Sequence, residues 1–186
     1  RLENNLNYNS FPFYSSKGFL SDYSFILKNT KNELKNSTTS NNESNIDLLT
    51  AGMFTARYPL KKIEKNLEKF LTPKISFRYS PTETKNISDA DRRVDVNNIY
   101  SLNRLGSLES GASLTLGSEY LIRNSSGMDI FSLELASVLR DKINEDLPKK
   151  STLEKKTSNI FGNLKFKPSK YFNVEYNFSL DNNLDN

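Results

Sequence analysis

The chain has 186 residues and a net charge of +4, from 26 basic and 22 acidic side chains, with no Cys, His or Trp. Without thiols or imidazoles there is no Cys nucleophile, no His base and no ordinary zinc site, so most hydrolytic and redox chemistry is excluded, and neither a metal nor a cofactor is expected. The charges are mixed in sign and sit mostly in turns, while the aromatics lie in alternating segments rather than beside a basic patch, so no nucleic-acid partner is expected.

Taken in chain order, eight segments read as strands: 2–9, 18–29, 45–58, 72–80, 108–122, 128–140, 157–167 and 170–181. Along most of them apolar and polar residues alternate, which on a strand sends them to opposite faces. Ile75, Phe77 and Tyr79 alternate with Lys74, Ser76 and Arg78, and Leu114, Leu116 and Tyr120 alternate with Ser113, Thr115 and Glu119. Phe131, Leu133 and Leu135 alternate with Ser132 and Glu134. The longest unbroken case joins Val174, Tyr176 and Phe178 on one face to Asn173, Glu175 and Asn177 on the other.

Such a chain is either a soluble sheet protein, a β-sandwich binding module with its greasy face buried, or a membrane β-barrel with that face in lipid. No window approaches the roughly 20 apolar residues of a spanning helix, but a barrel strand needs only about 10 alternating ones. The connections favour the barrel. Residues 10–17, 123–127 and 168–169 form short turns, whereas 30–43, 81–107 and 141–156 are long and polar. Outer-membrane barrels sort their connections in this way, short at one end and long at the other. Tyr8, Tyr58, Tyr79, Tyr120 and Tyr171 lie near strand ends, where a phenol can bridge acyl chains and headgroups.

The connection 59–71 breaks the rule, being long where a short one is due. Leu60, Ile63 and Leu67 fall at i, i+3 and i+7 behind Pro59, which fits either a small amphipathic helix or a hairpin loop with one helical turn. In the loop 81–107, Ile99, Leu102 and Leu105 can pack, so its second half is expected to fold over the barrel mouth and 82–90 to stay loose.

Motifs for chemistry are sparse. Asp89, Asp91, Arg92 and Arg93 form a charged cluster without a helix, turn glycine or ligand spacing, and read as a solvated loop. Acceptor triplets for glycosylation begin at Asn36, Asn42, Asn86 and Asn124, a frequent accident in an Asn- and Ser-rich chain. There is no catalytic constellation, and no enzyme is expected.

The run Leu71-Thr72-Pro73-Lys74-Ile75-Ser76-Phe77-Arg78-Tyr79-Ser80-Pro81, then Asn98-Ile99-Tyr100-Ser101-Leu102-Asn103-Arg104-Leu105-Gly106, then Glu109-Ser110-Gly111-Ala112-Ser113-Leu114-Thr115-Leu116-Gly117-Ser118-Glu119-Tyr120, resembles the barrel domain of the LptD lipopolysaccharide-assembly family, also called organic solvent tolerance proteins. Residues 155–162 and 176–181 resemble the same family in the same order, so the likeness runs from about Gly18 onward. There are departures: the family's cysteines and its periplasmic jellyroll are missing, and Ala136-Ser137 stands where a Gly-Gln pair is expected.

The resemblance implies an all-β fold, an antiparallel up-and-down transmembrane β-barrel segment of about eight strands. Residues 1–186 would be part of one outer-membrane barrel domain, excised as an open curved sheet without the N-terminal periplasmic domain or the remaining strands. It implies lipopolysaccharide transport and insertion into the outer leaflet of the bacterial outer membrane, with lipopolysaccharide, a lumenal plug lipoprotein and periplasmic bridge proteins as partners. The family's lateral gate would lie outside this chain. Lumen-facing candidates are Lys74, Ser76, Arg78, Ser113, Thr115, Asn173, Glu175 and Asn177. Lipid-facing candidates are Ile75, Phe77, Leu114, Leu116, Val174, Tyr176 and Phe178. A generic outer-membrane porin or receptor barrel shares every pattern except the family segments.

Overall fold

A computed structural model of the chain describes residues 2–33 and 44–182, and the side chains of residues 4–30 and 48–182. Its strands are β1 (Leu2–Asn9), β2 (Phe13–Tyr14), β3 (Leu20–Glu33), β4 (Ser44–Arg57), β5 (Leu60–Glu64), β6 (Leu67–Ser80), β7 (Gly111–Asn124), β8 (Asp129–Arg140), β9 (Ile160–Ser169) and β10 (Phe172–Leu180). They form one antiparallel sheet of ten strands in the order β1-β3-β4-β6-β7-β8-β9-β10, with β2 beside β3 and β5 beside β6. Each strand of the main path therefore pairs with its neighbour in the chain, apart from the two short additions. The sheet is open, with β1 and β10 at its edges. Among the described residues there is no second sheet, so the β-sandwich alternative is set aside. Eight strands carry the path as expected from the sequence, and two short ones bring the number to ten.

Strand length follows from the alternating runs. β3, β4, β6 and β7 have 14 residues each, more than the roughly 9–11 that a tilted strand needs to cross a bilayer. No described helix is long and apolar enough to cross a membrane, a fact that says nothing about strands.

The stretch 59–71 is neither a helix nor a loop. It is a β-hairpin, in which β5 pairs with the start of β6 from Leu60 opposite Leu71 to Glu64 opposite Leu67. Lys65, the first of its two turn residues, has a φ of 54°, the sign that a two-residue hairpin turn requires. Lys61 bonds Glu68 at 2.7 Å and Lys69 bonds Glu64 at 2.7 Å across the pair. The i, i+3, i+7 spacing was counted through a chain reversal, so it never described one helical face. Pro59, lacking an N–H, marks the break between β4 and β5.

Short and long connections fall at opposite ends of the sheet. The β7–β8 turn is tied by Asn124, whose Oδ1 accepts from the N–H groups of Ser126 (3.1 Å) and Met128 (2.9 Å). Only Lys170 and Tyr171 separate β9 from β10. At the other end, 81–110 and 141–159 are long. Most of the connection 30–43, and the acceptor triplets at Asn36 and Asn42, lie outside the described residues.

The core is not between two layers of sheet. It lies where the two long loops fold onto the sheet: Val94, Val96, Ile99, Leu105, Leu147 and Leu153 pack with Ala136, Val138 and Phe161, with Ile87 and Tyr100 at the margin. The loop 141–159 runs back along β8, with the Arg140 N–H donating to Lys156 O at 2.7 Å and the Ser158 N–H to Val138 O at 2.9 Å. Ile99 and Leu105 are buried, as their spacing suggested. The first half of 81–107, expected to be loose, is also anchored. The Ile87 N–H donates to Asp146 O at 2.8 Å, and Thr84 Oγ1 accepts from the Ser110 N–H at 2.8 Å and from Asn144 Nδ2 at 2.9 Å. The expectation failed because it weighed only the apolar residues of the loop and not the side-chain amides and hydroxyls that lace two loops together.

Candidate functional site: the capped polar face

Residues opposite one another on antiparallel neighbours share a face. The registers Ser76↔Thr55, Ser76↔Thr115, Arg78↔Ser113 and Ser113↔Arg140 therefore make one polar surface across β4, β6, β7 and β8. The registers Phe77↔Phe54, Phe77↔Leu114 and Ile75↔Leu116 make an apolar surface behind it. Burial is the reverse of a water-soluble sheet. Ser76 and Arg78 are 1% and 2% exposed, whereas Ile75 and Phe77 are 41% and 49% exposed. The loops 81–110 and 141–159 cover the polar side.

At the centre of the covered region, one carboxylate holds three guanidiniums. Arg104 approaches Glu109 as a fork, Nε to Oε1 at 2.8 Å and Nη2 to Oε2 at 2.7 Å. Arg140 Nη1 donates to Glu109 Oε2 at 2.9 Å, and Arg78 Nη1 lies 4.0 Å from that oxygen. The arginines also tie the loop backbone to the strands. Arg78 donates from Nε to Leu102 O (3.0 Å) and from Nη1 to Glu109 O (2.9 Å), and Arg140 Nη2 donates to Ser110 O (2.9 Å). Arg104 Nη2 reaches Ser113 Oγ at 3.2 Å. Burial pushes the Glu109 carboxyl up, and the charges of Arg104, Arg78 and Arg140 more than reverse this, holding it at about 2. Such a paired, hydrogen-bonded charge is tolerated under cover where a lone one would not be.

Local sequence sets this geometry. Gly106 and Gly111, at φ of 64° and 83°, provide left-handed positions on either side of Glu109. Asp95 Oδ1 accepts from the N–H groups of Asn97 (2.8 Å) and Asn98 (3.1 Å), which starts the turns that carry Ile99 and Tyr100 inward. Tyr100 lies over Gly117: a Cβ on that glycine would come within 2.1 Å of the Tyr100 Oη. Lys74 Nζ sits 3.6 Å from the centre of the Tyr100 ring, a cation–π contact from strand to loop. Burial pushes the Tyr100 phenol above its ordinary value.

The structure thus brings together Lys74, Ser76, Arg78, Ser113 and Thr115. Glu175 and Asn177 belong to a second group beside β9, where Asn163 Nδ2 donates to Glu175 Oε1 at 2.8 Å and to Asn177 Oδ1 at 2.7 Å. Asn173 stands apart, exposed where the β9–β10 register shifts. On the opposite side Ile75, Phe77, Leu116, Val174 and Tyr176 are exposed, and Leu114 and Phe178 half-buried. Phe178 lies against Gly162, where a Cβ would meet its ring at 2.1 Å, the packing by which an aromatic covers a strand glycine. Asp91 and Arg93 are solvated as expected, while Arg92 donates from Nη1 to Leu105 O.

Sequence reasoning missed Arg104, Glu109 and Arg140. Arg140 could have been found by parity, since it continues the polar row of β8. Arg104 and Glu109 carry no such signal, because nothing in a loop pattern states which distant charges it will meet.

An open, up-and-down antiparallel sheet of long strands, apolar on its exposed side and polar on its covered side, defines a membrane-β-barrel type of protein. The chain matches the family model LptD, LPS transport system D, over residues 5–186, and it belongs to that family. The family acts in lipopolysaccharide transport at the outer membrane and is a transport and assembly family rather than an enzyme family. No individual curated protein matches the chain.

Proposed function

We propose that this sheet is a section of wall in an outer-membrane barrel that passes lipopolysaccharide into the outer leaflet. The polar face lines the lumen, the apolar face meets lipid, and the long loops close over the outer mouth. The observation that carries the reading is the inverted burial. Large aromatic and aliphatic side chains standing half exposed along every long strand are costly in water and at home in acyl chains. Aromatic pairs gather toward the short-turn end, Phe19 with Tyr58 at 4.6 Å between ring centres, Tyr120 with Phe131 at 6.2 Å and Phe166 with Phe172 at 6.5 Å, as an interfacial girdle requires. An amphipathic, anionic cargo needs a wide polar lumen, and Lys74, Glu175 and Asn177, which are not buried beneath the loops, give this wall that character. A lumenal plug lipoprotein would rest on the same surface, and periplasmic bridge proteins would deliver the cargo. The family match favours this over a generic porin or receptor barrel.

The test compares Leu116→Arg, in the middle of β7 on the exposed apolar face, with Asn177→Arg in the full-length protein. An Arg in lipid near the midplane costs about 2–4 kcal/mol, and an Arg in an aqueous lumen avoids that cost. Leu116→Arg is expected to assemble poorly by heat-modifiable gel mobility and to sensitise cells to large hydrophobic antibiotics, and Asn177→Arg to behave as wild type. Wild-type protein released from membranes by salt and alkali would end the reading.

A further inference from the structure

The capped cluster is not electrically balanced. Arg78, Arg104 and Arg140 surround Glu109, and each of the four side chains is no more than 2% exposed. Three positive charges against one negative leave an excess of two. Asp141 also acts on Arg140, but it stands exposed at the rim beside Gly111. Two of the buried donors are unused: among the described residues no acceptor reaches Arg78 Nη2 or Arg140 Nε. Both belong to guanidiniums whose Nη1 atoms approach the same Glu109 oxygen, at 4.0 and 2.9 Å. Unpaired buried charge is among the most destabilising features a fold can hold, and an unused guanidinium N–H in a buried site seeks an acceptor.

From this excess and these two donors we infer that the cluster is a binding site for a small inorganic anion of chloride size, held by Arg78 Nη2 and Arg140 Nε beneath the loop 81–110. The near-complete burial of all four side chains limits the guest to a monatomic ion and bars a phosphate group carried on a lipid. Such an ion acts as a second counter-charge beside Glu109 and locks the loop to β6 and β8. The inference rests on the geometry of the cap and not on the proposed transport role, so either can fail alone.

The experiment uses the full-length protein in detergent at fixed ionic strength, with chloride, bromide or gluconate as the only anion. Hydrogen exchange reads the opening of residues 99–105. A chloride concentration ten times the dissociation constant should slow opening about tenfold relative to gluconate, by mass action on the closed state. Arg78→Gln should abolish this difference. Glu109→Gln, which adds one more unit of excess charge, should enlarge it. Crystals grown in bromide should show an anomalous peak in contact with Arg78 Nη2 and Arg140 Nε, a readout that does not depend on any variant folding. Equal exchange in chloride and gluconate, or an ordered loop without a bromide peak at the cluster, would overturn the site.

Discussion

Ser76 and Phe77 are adjacent in the chain and meet opposite fates. Ser76 is buried, its hydroxyl 3.1 Å from Thr55 Oγ1 under the loops, and Phe77 stands half exposed on the other side. In a soluble sheet the two would trade places. The difference shows what organises this molecule: the loops supply a core to the polar side, and the apolar side is left for a solvent that is not water. The apolar residues of the loops would have little to pack on if β8 stayed polar throughout. It does not, because Ala136 and Val138 replace its polar alternation where the cap lands.

The sharpest way to break this contrast is to remove the carboxylate. Glu109→Ala leaves three guanidiniums under the cap without their shared partner, and truncating one side of a buried ion pair costs about 3–5 kcal/mol. Residues 94–105 should lose protection in hydrogen exchange and become protease-sensitive, while the strands β3 and β4 stay protected. Loss confined to the cap is the expected outcome. Unchanged protection would mean that the cluster does not hold the loop.

Acid acts on the same contact more gently. Glu109 titrates at about 2 in the fold against an ordinary value of 4.5. Because the folded value is the lower one, its stabilisation is complete above about 4.5 and disappears as pH falls through about 2. Protection of the cap amides, corrected for the intrinsic pH dependence of exchange, should therefore hardly change from pH 7 to 5, and fall steadily below 4.5. In Glu109→Ala the acid limb should be missing. An acid limb that persists there would assign the titration to another carboxylate.

The two faces were not equally legible in the sequence. Alternation gave the strands and the opposite faces of Ser76 and Thr115 on one side and Ile75 and Leu116 on the other, because side-chain parity is a local property of a strand; the register that pairs them is set between strands. It gave the wrong answer at Leu60, Ile63 and Leu67, where a two-residue turn reversed the direction in which spacing should be counted. It was silent on Glu109, whose Arg78 partner lies 31 residues away and whose burial depends on a loop closing. Ile99 and Leu105 announced that the loop would pack. The charge they would bury with them is a tertiary fact.

Glycines offer a finer comparison of the two sides. At Gly117, on the capped side, a Cβ would meet the Tyr100 Oη at 2.1 Å and the backbone oxygen of Leu135 at 2.5 Å. The phenol could swing away, but the strand could not, so Gly117→Ala is expected to cost about 1–3 kcal/mol, as overpacking does. The thermal midpoint of heat-modifiable mobility in the full-length protein should fall. Exchange at Tyr100 should rise with it, since the ring leaves the niche above the glycine and its contact with Lys74.

Gly52 is the matched position on the apolar side, between Phe25 and Tyr79 in the sheet register. A Cβ there would meet nothing within 4 Å. Glycine weakens a strand by roughly 0.5–1 kcal/mol relative to alanine, because it has more backbone freedom to lose on folding. Gly52→Ala should therefore leave assembly intact and shift the thermal midpoint by a small amount upward, the smallest effect of the set and opposite in sign to Gly117→Ala. The sign is what matters. If the apolar face opens onto fluid acyl chains, a methyl group added to the dent displaces only lipid, and the backbone gain remains. A clear loss of stability at Gly52 would mean that a rigid neighbour packs into the dent, and that this part of the apolar face is a protein contact rather than a surface bathed in lipid.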